Sequence, residues 1–268
     1  MEVTTYLTKY KNYTNKEDLK KQVGLPDSQS NYVLINAGSD DNRKGVAFVY
    51  KGKLEKNYES HQCVSNRIIL LKMKTKPRKT TFIQVYAQTE DADNVNKQEF
   101  YEDLRSTVRQ NWKHGERLVV MGDFNSKVGK EREENIVGPY GLGERNENGD
   151  LIVDFCREFG LVVTNTWNEQ RVEERHTWIS PDGRTRNQID YILIDKRYRN
   201  SVTNSKSRPE ADCGSDHNPV VADVETRLKR TKNVRRTKRW NLRKLELETN
   251  RTNFQEMISA KIDNLVDL

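Results

Sequence analysis

The chain contains no run of about 18 apolar residues, so no segment is long enough to cross a bilayer as a helix. Its start, Met1-Glu-Val-Thr-Thr, lacks the basic and then apolar pattern of a secretory signal. Cysteine is scarce, and Cys63, Cys156 and Cys213 follow neither a pairing nor a metal-ligand spacing. A disulfide framework is thereby excluded, and reduced thiols in a soluble, non-secreted protein are expected. Apolar residues are sparse as well, 34% against 32% charged, which leaves a lean core. At 268 residues that core suffices for one large domain plus appendages. No internal repeat is evident.

Acid is missing from one block altogether. Residues 227–244 hold ten Lys and Arg side chains and no Asp or Glu. With a net charge of +7 for the whole chain, the other 250 residues are close to neutral. Such a block is a solvated linker, a phosphate-gripping arm or a nuclear import signal. As an arm it would bind nucleic acid through Arg235, Arg236, Lys238 and Arg239, with affinity that falls steeply with salt. A cytoplasmic or nuclear location is expected, the nucleus favoured. Beyond the block, Phe254, Met257, Ile258, Ile262 and Leu265 recur at helical spacing and predict an amphipathic tail. The boundaries expected are an atypical N-terminal segment 1–22, a domain 23–226, a basic linker 227–244 and a helical tail 245–268.

What is present begins with Met121-Gly-Asp-Phe-Asn-Ser-Lys127, a turn after the apolar run Leu118-Val-Val-Met121, which reads as a buried strand. Asp123 and Asn125, two positions apart, would point the same way by strand alternation and could grip a water and a phosphate together. An ordinary Gly-Asp turn is the alternative. Two further clusters follow, Asn187-Gln-Ile-Asp-Tyr-Ile-Leu-Ile194 and Gly214-Ser-Asp-His-Asn-Pro-Val220. In the first, Asp190 shares a strand face with Ile192 and Ile194. A carboxylate facing a core needs a cation, a donor or a metal. In the second, Asp216 and His217 diverge on extended chain, so His217 can pair a carboxylate while Asp216 faces a metal.

Strands are predicted at Val46–Tyr50, Arg67–Met73, Thr80–Tyr86 and Leu161–Thr164, with helices over Asn94–Lys113 and Asn148–Phe159. His176–Ser180 and Gln188–Ile194 are expected to form a hairpin across Pro181-Asp-Gly183. Mixed strands with two helices predict a layered α+β domain.

The three clusters, in this order and together with Gly141–Gly149 and Thr177–Asp190, resemble the endonuclease/exonuclease/phosphatase superfamily, and within it the LINE-type retrotransposon branch. The resemblance runs from about Val23 to the C-terminus. It implies a four-layer α/β/β/α sandwich with catalytic loops gathered at one end. Asp123 would orient the attacking water, Asn125 would hold the scissile phosphate, and His217 would stabilise its growing charge with Asp190 behind it. Asp216 and Asp123 would hold Mg2+ or Mn2+, and Tyr86 would donate its hydroxyl to the phosphate. The chain departs from the family at its start. The family opens with an asparagine-bearing strand and a strand ending in a metal-binding glutamate, whereas Lys11-Asn-Tyr-Thr14 offers no acid. Glu17 and Asp18 read better as the first turn of a short helix. An N-terminally incomplete sandwich is therefore expected, with an unpaired sheet edge open to another chain. The implied activity is Mg2+-dependent hydrolysis of DNA, weakened by the missing glutamate. The alternatives are a non-catalytic derivative binding nucleic acid or protein, the latter through the tail or the free edge, and a phosphatase of the same superfamily.

Overall fold

The computed structural model describes residues 2–5, 32–38, 45–211, 214–225 and 246–266. The basic block at 227–244, Cys213 and the Glu17–Asp18 turn lie outside them. The chain divides into two compact units, Met1–Leu228 and Lys229–Leu268.

The first unit runs β1 (Glu2–Thr5), β2 (Tyr32–Gly38), β3 (Gly45–Lys51), β4 (Tyr58–Ser65), β5 (Ile68–Met73) and β6 (Thr80–Tyr86). It continues through α1 (Asn94–Asn111), β7 (Arg117–Asp123), α2 (Glu147–Phe159) and β8 (Leu161–Val163). The last strands are β9 (Trp178–Ile179), β10 (Arg186–Asn187), β11 (Asp190–Asp195), β12 (Val202–Ser207) and β13 (Val220–Val224).

A six-stranded sheet in the order β4-β5-β6-β7-β11-β8 is the centre of the unit. Its one parallel pair, β6 with β7, requires a crossover, and α1 supplies it. Burial on both faces explains why these strands read as continuous apolar runs. Leu118 and Val120 of β7 and Tyr191 and Leu193 of β11 face one core, with Phe100, Leu104, Val108, Ile152 and Phe155 of the helices. Val119, Met121, Ile192 and Ile194 face a second core. There they meet Val46 and Phe48 of β3 and Val220, Ala222 and Val224 of β13.

Each helix starts where a side chain takes over an orphan amide. Asp93 Oδ1 accepts from Val95 N at 3.2 Å before α1, and Asn146 Oδ1 accepts from Gly149 N at 3.0 Å before α2. α2 stops at Gly160, whose φ of 63° a Cβ-bearing residue would resist.

The second sheet layer comes as two pieces among the described residues, β1-β13-β12 and β2-β3. β1 lies within the segment expected to be atypical, yet it pairs with β13 from Glu2 opposite Asp223 to Thr5 opposite Val220. The two facing sheets, with α1 and α2 on the outer side of the central one, form the described part of the expected α/β/β/α sandwich. A second departure concerns the expected hairpin. Its second arm is Arg186–Asn187, paired with Trp178–Ile179, while Asp190–Asp195 belongs to the central sheet between β7 and β8. One apolar run hid a break at Gln188–Ile189, where the chain leaves the hairpin and enters the core.

In the second unit, α3 (Glu248–Val266) forms where the apolar spacing predicts a helix. Met257, Ile258 and Ile262 are exposed.

Candidate active site

The site is built where β7 ends and β11 begins. These antiparallel neighbours place Asp123 opposite Asp190. Alternation turns both carboxylates to the inter-sheet face used by Val119, Met121, Ile192 and Ile194. Both are buried, at 3% and 2% exposure. The close approach of β6 needs Gly122, because a Cβ there would lie 2.0 Å from Val85 O.

His217 enters from the segment before β13 and sets Nδ1 3.0 Å from Asp190 Oδ2. Its backbone bridges Trp178, Asn218 N donates to Thr177 O at 2.7 Å, and Ile179 N donates to Asp216 O at 3.0 Å. The base of the hairpin thus fixes the His217 loop. Thr177 also fixes β11, its Oγ1 accepting from Ile189 N and Asp190 N at 3.0 and 3.1 Å. Asp123, Asp190 and His217 each bring one ligand atom within 4.8 Å of the others.

Asn125 reaches its place by a route other than strand alternation. The strand ends at Asp123, and Asn125 takes a left-handed φ of 45°. Its amide donates to Asp123 Oδ1 at 2.7 Å and its Nδ2 to Ala87 O at 3.0 Å. Asn tolerates that conformation better than most residues, so a turn, not a pleat, aims the carboxamide. Tyr86 ends β6 with Asp123 as its parallel register partner. Asp216 is not among the three residues whose ligand atoms meet within 4.8 Å, though its charge reaches His217 and Tyr86; its Oδ2 accepts from Trp178 Nε1 at 3.1 Å.

The electrostatics follow from this crowding. Burial first, then the Asp190 charge, pushes the Asp123 carboxyl up to about 8, opposed by His217, the Asn125 amide and Arg67. Burial opposes protonation of His217, but the charge and hydrogen bond of Asp190, with Asp123 and Asp216 beyond, raise it to about 9. Tyr86 is also raised, by burial and then by Asp123, with Asp216 adding to the shift and Arg67 opposing it. With Nδ1 held by Asp190, Nε2 is the ring nitrogen left to meet a ligand.

The donor set suits a hard divalent cation. Two buried carboxylates face each other across one strand pair, and the cost of ionising Asp123 is the cost a cation would relieve. Asp123 and Asp190 are the residues that would hold it.

Two contributors carry no sequence signal of their own. Arg67 stands 4.8 Å over the Tyr86 ring, and its Nη1 donates to Tyr86 O and Ala87 O at 2.8 and 3.0 Å. Asn148, 2% exposed, donates through Nδ2 to Asn125 O at 3.0 Å and to Gln88 O at 3.2 Å. Arg67 opens a predicted strand and Asn148 a predicted helix. Only the partner strand and the turn facing them reveal their roles. Arg235, Arg236, Lys238 and Arg239 lie outside the described residues.

A family described as endonuclease-reverse transcriptase matches residues 80–221. The chain is 38% identical over 207 residues to craniofacial development protein 2 of Tragulus javanicus and to that of Bos taurus. The match covers 77% of this chain but about a third of each relative, 36% and 35%. Among solved structures, an AP endonuclease from Archaeoglobus fulgidus superposes with a TM-score of 0.56 at 18% identity, over 84% of this chain and 89% of that one. The endonuclease domain of TRAS1, a telomere-specific non-LTR retrotransposon, superposes with a TM-score of 0.54 at 16% identity, over 74% and 81%. These two likenesses establish the fold. The sequence match over residues 80–221 goes further: this chain belongs to the endonuclease/exonuclease/phosphatase superfamily, in its endonuclease-reverse transcriptase family.

Proposed function

We propose that the protein hydrolyses DNA phosphodiester bonds as a metal-dependent endonuclease, with Mg2+ the expected ion and Mn2+ the substitute. The observation that carries this reading is the convergence of Asp123, Asp190 and His217 at one end of the sandwich, from three separate stretches of chain.

Asp123 accepts the proton of the attacking water as the new P–O bond forms and an ester oxygen leaves. A bound cation would lower the Asp123 pKa below neutrality and neutralise charge on the phosphate. Asn125 holds the phosphate by its carboxamide. His217, protonated at neutral pH and oriented by Asp190, stabilises the charge that develops on the phosphate oxygens. The Tyr86 hydroxyl, kept protonated by its surroundings, donates to the same group. Asp216 positions the Trp178 indole, and this arrangement sets the distance between the hairpin and His217. The basic block, through Arg235, Arg236, Lys238 and Arg239, supplies sequence-independent affinity and fits a nuclear protein.

Nicking of supercoiled plasmid tests the reading. Wild type should convert supercoiled to open circles with Mg2+ or Mn2+, and Asp123→Asn and His217→Ala should each remove at least 99% of that rate, as deletion of a charge-stabilising donor does elsewhere at about 10²–10³-fold. Intact DNA binding with no nicking at any metal concentration would overturn it and leave a non-catalytic binding protein.

A further inference from the structure

A second site lies away from the carboxylates, where β8, the edge of the six-stranded sheet, meets β12, the edge of the β1-β13-β12 sheet. Thr164, just after β8, bonds Ser205 of β12 through their hydroxyls at 2.8 Å. Beside this seam is a cleft of about 520 Å³ lined by Trp167, Asn168, Arg199, Val202 and Thr203 among others, with no acid in its wall. The volume falls within the range of small-molecule sites, about 300–1,000 Å³, and leaves room for one nucleotide.

Two guanidinium groups stack on the Trp167 ring, Arg199 of the cleft wall at 4.1 Å and Arg132, which is not part of that wall, at 5.6 Å from its centroid. The indole is fixed by its Nε1, which donates to Ile136 O at 3.2 Å. Other arginines of the fold are paired, Arg197 with Asp195 and Arg145 and Arg157 with Glu133, while Arg117 and Arg175 each stack singly on a tyrosine. Arg132 and Arg199 have no acidic partner among the described residues. A guanidinium stacked on an indole keeps its in-plane N–H edge free for a phosphate, and the stack holds it in place at little further entropic cost. Cations on an aromatic ring, amide and hydroxyl neighbours and an absence of carboxylates are the chemistry of a nucleic-acid strand.

We propose that the Trp167 cleft is a second nucleic-acid contact, holding one nucleotide of a strand by its phosphate on Arg199, with Arg132 stacked on the same indole adding positive charge. The proposal rests on the reading of this chain as one that acts on DNA, and it adds a place where the strand is held apart from the bond that is cut. The two places share one turn. Asn165, beside Thr164, donates through Nδ2 to Asp190 O at 3.0 Å, so the same 3₁₀ turn, Thr164–Thr166, borders the cleft and braces β11.

The test is fluorescence anisotropy of the full chain with labelled single-stranded and duplex oligonucleotides, in EDTA so that no cutting intervenes. The Arg132→Gln/Arg199→Gln variant should bind single strands about tenfold more weakly and lose roughly 0.7 from its log–log salt slope, the share of one phosphate contact. Arg132 is exposed, so Arg132→Gln alone keeps the fold and should show the smaller share of that loss. Arg199→Lys should retain the slope. Lys113→Gln, an exposed charge beyond α1, should change nothing. An unchanged slope in the double variant would overturn the proposal, as would an equal loss in Lys113→Gln. Displacement of the oligonucleotide by free dAMP, or by poly-glutamate at equal charge, would overturn it in favour of a free nucleotide or an acidic peptide. Cleft-dependent binding without plasmid nicking would sustain the cleft and refute the hydrolase. Nicking without cleft-dependent binding would do the reverse.

Discussion

Asp123 and His217 make the site a titrating device before any cation is added. His217 sits at about 9 when folded against its ordinary 6.5, so its contribution to stability is complete below pH 6.5 and is lost as pH rises through 9. Asp123, at about 8 against 3.8, acts with the same sign, because the folded state keeps a proton that the unfolded chain has released. Metal-free protein should therefore melt at progressively lower temperature from pH 6.5 to pH 9 in EDTA. Asp123→Asn should flatten that decline below pH 8, and Mg2+ should make it shallower by favouring the ionised carboxylate. Asp190→Asn should bring the His217 imidazole titration down towards its ordinary value, since the partner that raises it is gone; NMR titration of the ring protons reads this directly. An unshifted ring in that variant would show that Asp190 does not govern His217.

The decisive element is the turn after β7. Asn125 is held in a left-handed conformation from three directions: its own amide on Asp123, its Nδ2 on Ala87 O, and the Asn148 carboxamide on its carbonyl. Asn148→Ala leaves two half-buried carbonyls without this donor, at a cost of about 1 kcal/mol. Chemical denaturation should show that loss. Nicking should fall at least tenfold under conditions where the variant stays folded, while Asn148→Asp should fail to restore it because a carboxylate cannot donate. Gly122 is the second fixed point. Its φ of 142°, and the mere 2.0 Å that would separate an added methyl from Val85 O, leave no room for alanine. Gly122→Ala should separate the ends of β6 and β7 that carry Tyr86 and Asp123, with loss of both activity and several degrees of Tm. A fully active, fully stable Gly122→Ala protein would contradict the tight parallel pairing described for these strands.

Across the whole molecule, two cores on opposite faces of one sheet do different work. The helix-side core anchors the sheet, and truncating Leu104 at its centre should cost about 2–5 kcal/mol in a denaturation experiment. The inter-sheet core brings β13, and with it His217, against the ends of β7 and β11. The basic block adds charge that no fold is needed to display: neutralising Arg235, Arg236, Lys238 and Arg239 should flatten the salt dependence of DNA binding and leave the melting temperature of the folded domain unchanged. The amino-acid sequence by itself determined the apolar runs that became β5, β6, β7 and β11, both helices of the domain, the α+β class and the motif set that assigns the family, because these depend on local periodicity, capping and residue type. It also made Asp123, Asp190 and His217 candidates, since a polar side chain beside an apolar strand must find a partner. The resemblance also placed Asp190 behind His217; tertiary structure supplied the geometry of that pairing and decided the other partners. The pairing of Asp190 with His217, the Trp178 bond to Asp216, the support of Tyr86 by Arg67, the transfer of Arg186–Asn187 to the hairpin, and the Trp167 cleft all join residues distant in sequence or separated by turns, and contacts of that kind are set by strand register and packing between layers, which no local pattern encodes.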